Sequence, residues 1–243
     1  MSRSFESPQG MEQQEGLFSD LFDAAGAETK REKDASRNGN GHPPAEVLRL
    51  VHVLFLSGGM TAPRQVLFCG VDEGEASGRL CVRAGEVLAN EVPLPVCVVD
   101  AKMRTPSLNR FFHTNGFSPS RGNGSGRLHA RQMGSNLWFL APEDLLSNGG
   151  SAFGAEQLRS SLREVRQEFA YVLIDADPVG QQTDAAALGQ ATDGVVLVLE
   201  ANATRRVAAL SAKEALDAAG VRLLGTVLNS RTFPIPKKIY QKL

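Results

Sequence analysis

The sequence has little of what several classes of protein need. Its 243 residues carry a formal net charge of -1, so no bulk electrostatic attraction draws it to nucleic acid or anionic lipid. No apolar run approaches the roughly 18 residues of a membrane span. The polar start MSRSFESPQGMEQQEG lacks the charged and apolar regions of a signal peptide. We therefore expect a cytoplasmic protein with no nucleic-acid partner.

Cysteine and tyrosine are also scarce. Cys69, Cys81 and Cys97 show no metal-ligand spacing, and two of them lie in apolar runs typical of strands. They are predicted to be small core hydrophobes, and no metal site is predicted from them. The two tyrosines are Tyr171, within a predicted buried strand, and Tyr240, near the end of the chain.

The first 42 residues are predicted to be a disordered tail, because they are rich in charge, Glu, Gln, Gly and Asn and contain little apolar surface to bury. Within the tail, Leu17, Phe18, Leu21 and Phe22 follow helical spacing. This pattern indicates either a short amphipathic helix that docks on a partner or a transient helix without function.

From Pro43 onward, strand and helix patterns alternate. This order predicts one α/β domain over residues 43–243, with a doubly wound, mostly parallel sheet covered by helices on both faces. The predicted strands are Val66–Cys69, Pro95–Val99, Leu137–Leu140, Tyr171–Ile174, Gly194–Leu199 and Leu223–Leu228, and the predicted helices are Gly78–Asn90, Ala155–Glu168, Asp184–Ala191 and Arg205–Ala219.

The segment between the first strand and the next helix has the pattern of a phosphate-binding loop but lacks the lysine and hydroxyl residues that bind phosphate and Mg²⁺. Gly70 opens the loop, and Gly74-Glu75-Ala76 stands where such a loop has Gly-Lys-Ser/Thr, followed by Ser77. The Lys normally reaches the β and γ phosphates and the hydroxyl holds Mg²⁺. In this register the cation has become an anion and the metal ligand a methyl group, which predicts repulsion of a nucleotide.

Polar residues follow the other strands at the same edge of the predicted sheet. Asp100, Asp175 and Asn229 come at strand ends, where ligands bind in sheets of this kind. A carboxylate at a strand end can also hold loop amides or cap a helix. Both roles stay open for Asp100 and Asp175.

The order of these motifs resembles the bacterial tyrosine kinases of capsule and exopolysaccharide assembly. Those kinases belong to the deviant P-loop ATPases, together with the chromosome-partitioning and division-site-positioning proteins. VCVVDAKMR matches the family's second motif through Asp100 and Arg104, with Lys102 in place of its second Asp, and DADP matches the third through Asp175. The family also has an Asn at the position of Asn229. Lys102 either removes a carboxylate near the metal or supplies a cation toward a phosphate.

A further match concerns assembly. Glu46, Arg49 and His52 resemble a Glu-x-x-Arg-x-x-Arg motif that the family uses for ring assembly, with His in place of the last Arg. An ordinary intrahelical ion pair between the first two is the competing interpretation.

The segment 113–135 is long for a loop, and its basic residues predict either a contact with an anionic partner or a solvated insertion. These residues are Arg121, Arg127, His129 and Arg131.

Three functions follow from the resemblance and its departures. The first is a degenerate, non-catalytic relative, without ATP or Mg²⁺, that acts as a regulatory or scaffolding subunit by binding the cytoplasmic segment of a membrane polysaccharide-assembly protein. This hypothesis includes a homo-oligomer. The second is an active ATP- and Mg²⁺-dependent tyrosine kinase that uses Asp100 and Asp175, with Tyr240 as phospho-acceptor. The third is a positioning ATPase of the partitioning type.

Overall fold

The computed structural model describes residues 45–102, 106, 108–112, 129–145, 155–179 and 184–230. The predicted tail helix, Arg104, Tyr240 and residues 113–128 of the long loop lie outside these residues. Among the described residues, we find no helix with the length and apolar character that crossing a membrane requires.

Seven strands form one sheet in the order β3-β4-β2-β5-β1-β6-β7. All neighbouring pairs are parallel except β3 with β4. The predicted mostly parallel α/β fold is confirmed. The strands are β1 (Gln65–Gly70), β2 (Val96–Asp100), β3 (Arg131–Gln132), β4 (Leu137–Leu140), β5 (Tyr171–Ala176), β6 (Gly194–Glu200) and β7 (Leu223–Asn229).

Helices cover both faces of the sheet. The first and second pack on one face, and the fourth, fifth and sixth pack on the other. They are α1 (Ala45–Val51), α2 (Ala76–Glu91), α3 (Pro142–Leu145), α4 (Ala155–Glu168), α5 (Asp184–Gly189) and α6 (Arg206–Ala218). A π-helical segment, His52–Leu56, continues α1, and short 3₁₀ turns span Gly59–Thr61 and Leu108–Phe111.

The core is built by strands that are apolar on both sides. In β1, Val66 and Phe68 belong to the α1/α2 side, whereas Leu67 and Cys69 belong to the α4/α5/α6 side. This alternation follows from the period of two residues in a strand, and the continuous apolar run follows from burial of both faces. All three cysteines are buried in these layers, as predicted, and burial raises the pKa of the Cys69 thiol to about 12.

One part of the sheet was not predicted. Residues 131–132 of the long basic segment form β3, a two-residue antiparallel strand at the edge. Arg131 pairs with Glu143 at 3.2 Å and with Asp144 at 3.8 Å, so its charge is used within the chain. The prediction that the whole segment 113–135 is a loop is therefore wrong for residues 131 and 132, and Arg131 is not free for an anionic partner.

Candidate functional site

Asp100 and Asp175 lie side by side at the carboxyl edge of the sheet. They end or nearly end the adjacent strands β2 and β5 and occupy the same register position. Their exposed fractions are 1% and 0%. Two carboxylates buried this deeply need partners, because removing a charge from water is costly unless it is paired or hydrogen-bonded.

Asp100 binds the loop that follows its own strand. Its Oδ1 accepts a hydrogen bond from the backbone N of Lys102 at 3.1 Å, and its Oδ2 accepts one from the backbone N of Leu108 at 3.0 Å. Of the two roles left open by the sequence, this geometry favours the structural one. Asp100 fixes the chain where it leaves β2 and thereby directs the side chain of Lys102.

Lys102 lies inside the protein rather than at its surface. Its exposed fraction is 4%, its Nζ is 3.0 Å from Asp175 Oδ2, and the same Nζ donates to Ser77 Oγ at 3.1 Å. The contact of Lys102 with Asp175 is a buried ion pair. Lys102 thus joins the start of α2 to the end of β5.

The electrostatic balance at Asp175 is not fully favourable. Burial raises the pKa of the Asp175 carboxyl from 3.8 to about 6, although Lys102 and Ser77 act to lower it. The nearby Asp100 acts to raise it further. Desolvation outweighs pairing here, as is common for buried ion pairs.

The structure corrects the register of the loop, that is, which of its positions correspond to the lysine and the hydroxyl residue of a phosphate-binding loop. An ideal Cβ on Gly78 would lie 2.8 Å from Asp175 Oδ2, whereas Ala76 only begins α2 and contributes no oxygen to Asp175. A loop hydroxyl that shares Mg²⁺ with the strand aspartate must project toward that aspartate. Position 78 therefore corresponds to the hydroxyl and position 77 to the lysine. Ser77 and Gly78 occupy these two places.

Glu75 faces outward instead of into the site. Its side chain is 46% exposed and forms ion pairs with Arg79, at 3.5 Å, and with Arg110. Both arginines also lie over the Phe111 ring, at 5.5 and 5.0 Å from its centroid. The predicted placement of Glu75 against the phosphates is wrong, because two cations hold its carboxylate at the surface and offset its charge.

The described residues do not fit a divalent cation at this edge. The space between Ser77 Oγ and Asp175 Oδ2 already holds the Lys102 ammonium, within 3.1 Å of both. Asp100 uses both carboxylate oxygens on backbone amides. A hard cation needs several unblocked oxygen ligands and tolerates no positive charge at contact distance. We find no cluster of three potential ligand side chains elsewhere in the described ranges.

The remaining predicted residues lie at the same ends of the strands but do not contact the Lys102 ion pair. Gly70 ends β1, and its carbonyl accepts a hydrogen bond from Val179 N at 3.2 Å. Gly74 lies near Glu200, with 3.9 Å from its ideal Cβ to Oε2. Asn229 ends β7, three strands away from Asp175, which is about 14 Å at the usual strand spacing. The structure therefore brings together Asp100, Lys102, Asp175 and Ser77 and leaves Asn229 apart.

The predicted assembly residues lie on α1 and the segment after it. His52 Nε2 is 3.3 Å from Glu91 Oε2 at the end of α2, which makes this contact intramolecular. Glu46 and Arg49 form no ion pair within 4.0 Å among the described residues. The competing interpretation of an intrahelical pair is therefore not supported, and Arg49 is exposed.

Sequence comparison finds similarity to bacterial tyrosine-protein kinases. It is 37% identical over 68 residues to the tyrosine-protein kinase CpsD of Streptococcus agalactiae, covering 28% of this chain and 30% of that protein. It is 25% identical over 173 residues to the tyrosine-protein kinase YwqD of Bacillus subtilis, covering 69% and 73%. The chain is thus similar in sequence to bacterial tyrosine-protein kinases. It matches about 30% of the length of the first curated relatives, and no family model matches it.

Comparison with solved structures supports the fold. The BceF tyrosine kinase domain superposes with a TM-score of 0.59 at 20% identity, over 93% of this chain and 99% of that one. At this identity the match shows a common fold. It does not transfer any residue's role.

Two features of the site were missed by sequence reasoning. The first is the buried contact of Lys102 with Ser77 and Asp175. The second is Gly78, whose missing side chain leaves room for Leu108 and Asp175 at 2.7 and 2.8 Å from the ideal Cβ. A usable signal was present for Gly78, because Ser77-Gly78 stands two residues after Glu75-Ala76 and permits a second register of the loop. No comparable signal shows that a Lys after a strand turns inward.

Proposed function

We propose that this chain is a non-catalytic relative of the bacterial tyrosine kinases that acts as a regulatory or scaffolding subunit in capsule or exopolysaccharide assembly. The observation that carries the loss of catalysis is the position of the Lys102 ammonium between Ser77 and Asp175. A fixed internal cation takes the place of a metal and removes the need for one.

The surroundings of the loop support the same proposal. Three carboxylates, Asp72, Glu73 and Glu75, stand in the six residues before Ser77, at the N-terminus of α2. Glu75 is paired with Arg79 and Arg110, so a triphosphate at this loop would meet the negative charge of Asp72 and Glu73 without the lysine that normally attracts it.

The pathway and partner rest on the resemblance to capsule and exopolysaccharide kinases. We propose a cytoplasmic location, with recruitment to the inner face of the membrane through the cytoplasmic segment of a polysaccharide-assembly membrane protein. Homo-oligomerisation through α1 is part of the proposal, because Arg49 is exposed and has no carboxylate partner among the described residues. Co-purification of the full chain with such a membrane protein tests the partner.

An active tyrosine kinase is the second candidate. The observation in its favour is the side-by-side placement of Asp100 and Asp175 at adjacent strand ends. It requires Lys102 to leave Asp175 when nucleotide binds, and it predicts phosphate incorporation at Tyr240 in the presence of Mg-ATP. Absence of a phosphorylated Tyr240 after incubation with Mg-ATP, judged by mass spectrometry of the intact chain, counts against this candidate.

Calorimetric titration with Mg-ATP tests the main proposal. The wild type is expected to give no binding at nucleotide concentrations of about 1 mM, whereas Ser77→Lys with Lys102→Asp restores the loop cation and an acidic ligand and should bind. Lys213→Asp, which repeats the Lys-to-Asp substitution at an exposed position, serves as the control. Wild-type binding in the micromolar range would overturn the proposal.

A further inference from the structure

A cavity opens at the amino-terminal ends of the strands, opposite the Lys102 site at their carboxyl ends. Its volume is about 470 Å³, and it lies where β1, β5, β6 and β7 begin. Strand β1 has six residues, so its two ends lie about 20 Å apart. The walls that matter here are Arg64, Arg166, Arg222, Asp193, Pro63 and Phe169.

One carboxylate in this cavity is already fully engaged. Asp193 Oδ2 accepts hydrogen bonds from the backbone N of Arg64 at 2.8 Å and of Gln65 at 2.9 Å. Its Oδ1 accepts one from Arg166 at 2.8 Å. Partial burial acts to raise the pKa of Asp193, but these hydrogen bonds outweigh it and the pKa is lowered. Asp193 is therefore an anion that holds the strand starts and Arg166 in place.

Two guanidinium groups remain without a carboxylate. Arg64 and Arg222 form no ion pair within 4.0 Å among the described residues, although both line the cavity and both are exposed. With three arginines against one aspartate, the formal charge of the cavity is +2 (three minus one).

Backbone hydrogen bonds fix the main-chain positions of these two arginines. The carbonyl of Arg64 accepts a hydrogen bond from Val172 N at 2.7 Å, and that of Arg222 accepts one from Val195 N at 2.9 Å. Each arginine therefore stands directly before a strand, on a rigid support. Arg64 and Arg222 lie two strands apart, about 10 Å between their backbones, so both side chains can reach one ligand placed between them.

We propose that this cavity binds a small organic phosphate monoester. Arginine presents a planar fork of donors that matches phosphate oxygens, and two unpaired forks suit a group with close to two negative charges. The volume lies in the range of small-ligand pockets. Pro63 and Phe169 supply an apolar wall for the organic part of the ligand. The inference is independent of the function proposed above, because it uses the other edge of the sheet.

Titration of the full chain with phenyl phosphate, followed by calorimetry and by backbone amide NMR shifts, tests this site. Phenyl phosphate is expected to bind with a dissociation constant below about 1 mM, and more tightly than inorganic phosphate. Arg64→Ala and Arg222→Ala should each weaken binding by about tenfold or more, since a hydrogen bond to a charged group is lost. The largest shifts should occur at Gln65, Gly194 and Leu223.

Arg163→Ala is the matched control, because Arg163 lies on the same helix as Arg166, is 64% exposed and, among the described residues, pairs only with Glu156. It should leave binding unchanged. The site is disproved if phenyl phosphate fails to bind at about 10 mM, or if Arg163→Ala weakens binding as much as the cavity substitutions. Equal affinity for inorganic phosphate overturns the assignment of an organic ester. The wild-type NMR shifts decide the location even if one alanine variant fails to fold.

Discussion

Lys102 Nζ lies 3.0 Å from Asp175 Oδ2, and both side chains are almost completely buried. The ion pair connects the loop after β2 to the end of β5, and the hydrogen bond from the same ammonium to Ser77 connects both to α2. A buried ion pair is poor evidence for net stabilisation, but removal of one partner leaves an uncompensated charge. The Lys102 ammonium is therefore a fixed internal contact that joins these three elements.

Removing the ammonium alone should destabilise the fold. We expect Lys102→Met to lower the free energy of unfolding by about 3 to 5 kcal/mol at neutral pH, because Asp175 is left buried without its counter-ion. Lys102→Met combined with Asp175→Asn should recover most of the loss. Urea denaturation followed by circular dichroism measures both. Lys213→Met, at an exposed pair, is the control and should change stability by less than about 1 kcal/mol. A double variant as unstable as the single one would contradict the assigned role of the pair.

The effect of Lys102→Met should also depend on pH. The folded-state pKa of Asp175 is about 6, above its ordinary value of 3.8, so the native state holds an extra proton between these values. Through this window the contribution of Asp175 makes stability fall as pH rises, by about 3 kcal/mol in total. Below pH 3.8 the Asp175 carboxyl is neutral in both the folded and the unfolded state, so it makes no pH-dependent contribution to stability.

Without the ammonium, the pKa of Asp175 should rise further, since Lys102 acts to lower it. The stability gap between wild type and Lys102→Met should therefore stay nearly constant below about pH 6, where Asp175 is protonated in both folded proteins, and widen from pH 6 to pH 8. Denaturation curves at several pH values measure this gap. A gap that stays constant over the range would show that Asp175 does not ionise in the folded state.

The corrected loop register makes a separate prediction. Glu75→Lys with Ala76→Thr should fail to create Mg-ATP binding, because position 75 faces Arg79 and Arg110 at the surface. A lysine there would meet two cations in place of its present ion pairs. Calorimetry under the conditions used for Ser77→Lys with Lys102→Asp provides the comparison. Binding by the first double variant and not by the second would restore the original register.

Much of the fold was predictable because each buried strand is a continuous apolar run. β4 and α4 have the predicted bounds, and most other strands differ by one or two residues at an end. The antiparallel strand β3 was missed because two residues within a Gly- and Arg-rich segment carry no periodic pattern. Its pairing depends on the neighbouring strand, which local sequence does not encode.

The candidate site was predictable in position but not in contacts. Parallel topology brings the strand ends of Asp100 and Asp175 to one edge, and this was expected. The direction of Lys102 depends on how Asp100 binds the amides at 102 and 108, a contact between residues eight positions apart. The outward direction of Glu75 depends on Arg110, which is 35 positions away in sequence and comes from another loop.

Close packing of α2 on the sheet leads to a prediction about Gly85. An ideal Cβ on Gly85 would lie 2.3 Å from Cγ2 of Val98, a stiff β-branched side chain in β2 that is fully buried. Gly85→Ala should therefore destabilise the fold by about 1 to 3 kcal/mol despite the better helix propensity of Ala. Val98→Ala in the same chain should relieve part of this cost. Thermal denaturation measures the series, with Gly74→Ala, where the nearest atom is 3.9 Å away, as control. A stabilising Gly85→Ala would show that α2 can move away from β2.

The assembly residues of α1 allow a final prediction. Arg49 is exposed and has no carboxylate partner within 4.0 Å among the described residues, so Arg49→Ala should leave the stability of the monomer within about 0.5 kcal/mol. If α1 forms a subunit contact, the same change should reduce the oligomer size measured by light scattering. Arg163→Ala, an exposed arginine on the other face of the sheet, is the control. His52→Ala should have a smaller effect, because His52 already contacts Glu91 within the chain. An oligomer of unchanged size in Arg49→Ala, or a wild type that is monomeric at all concentrations, would remove α1 from the proposed interface.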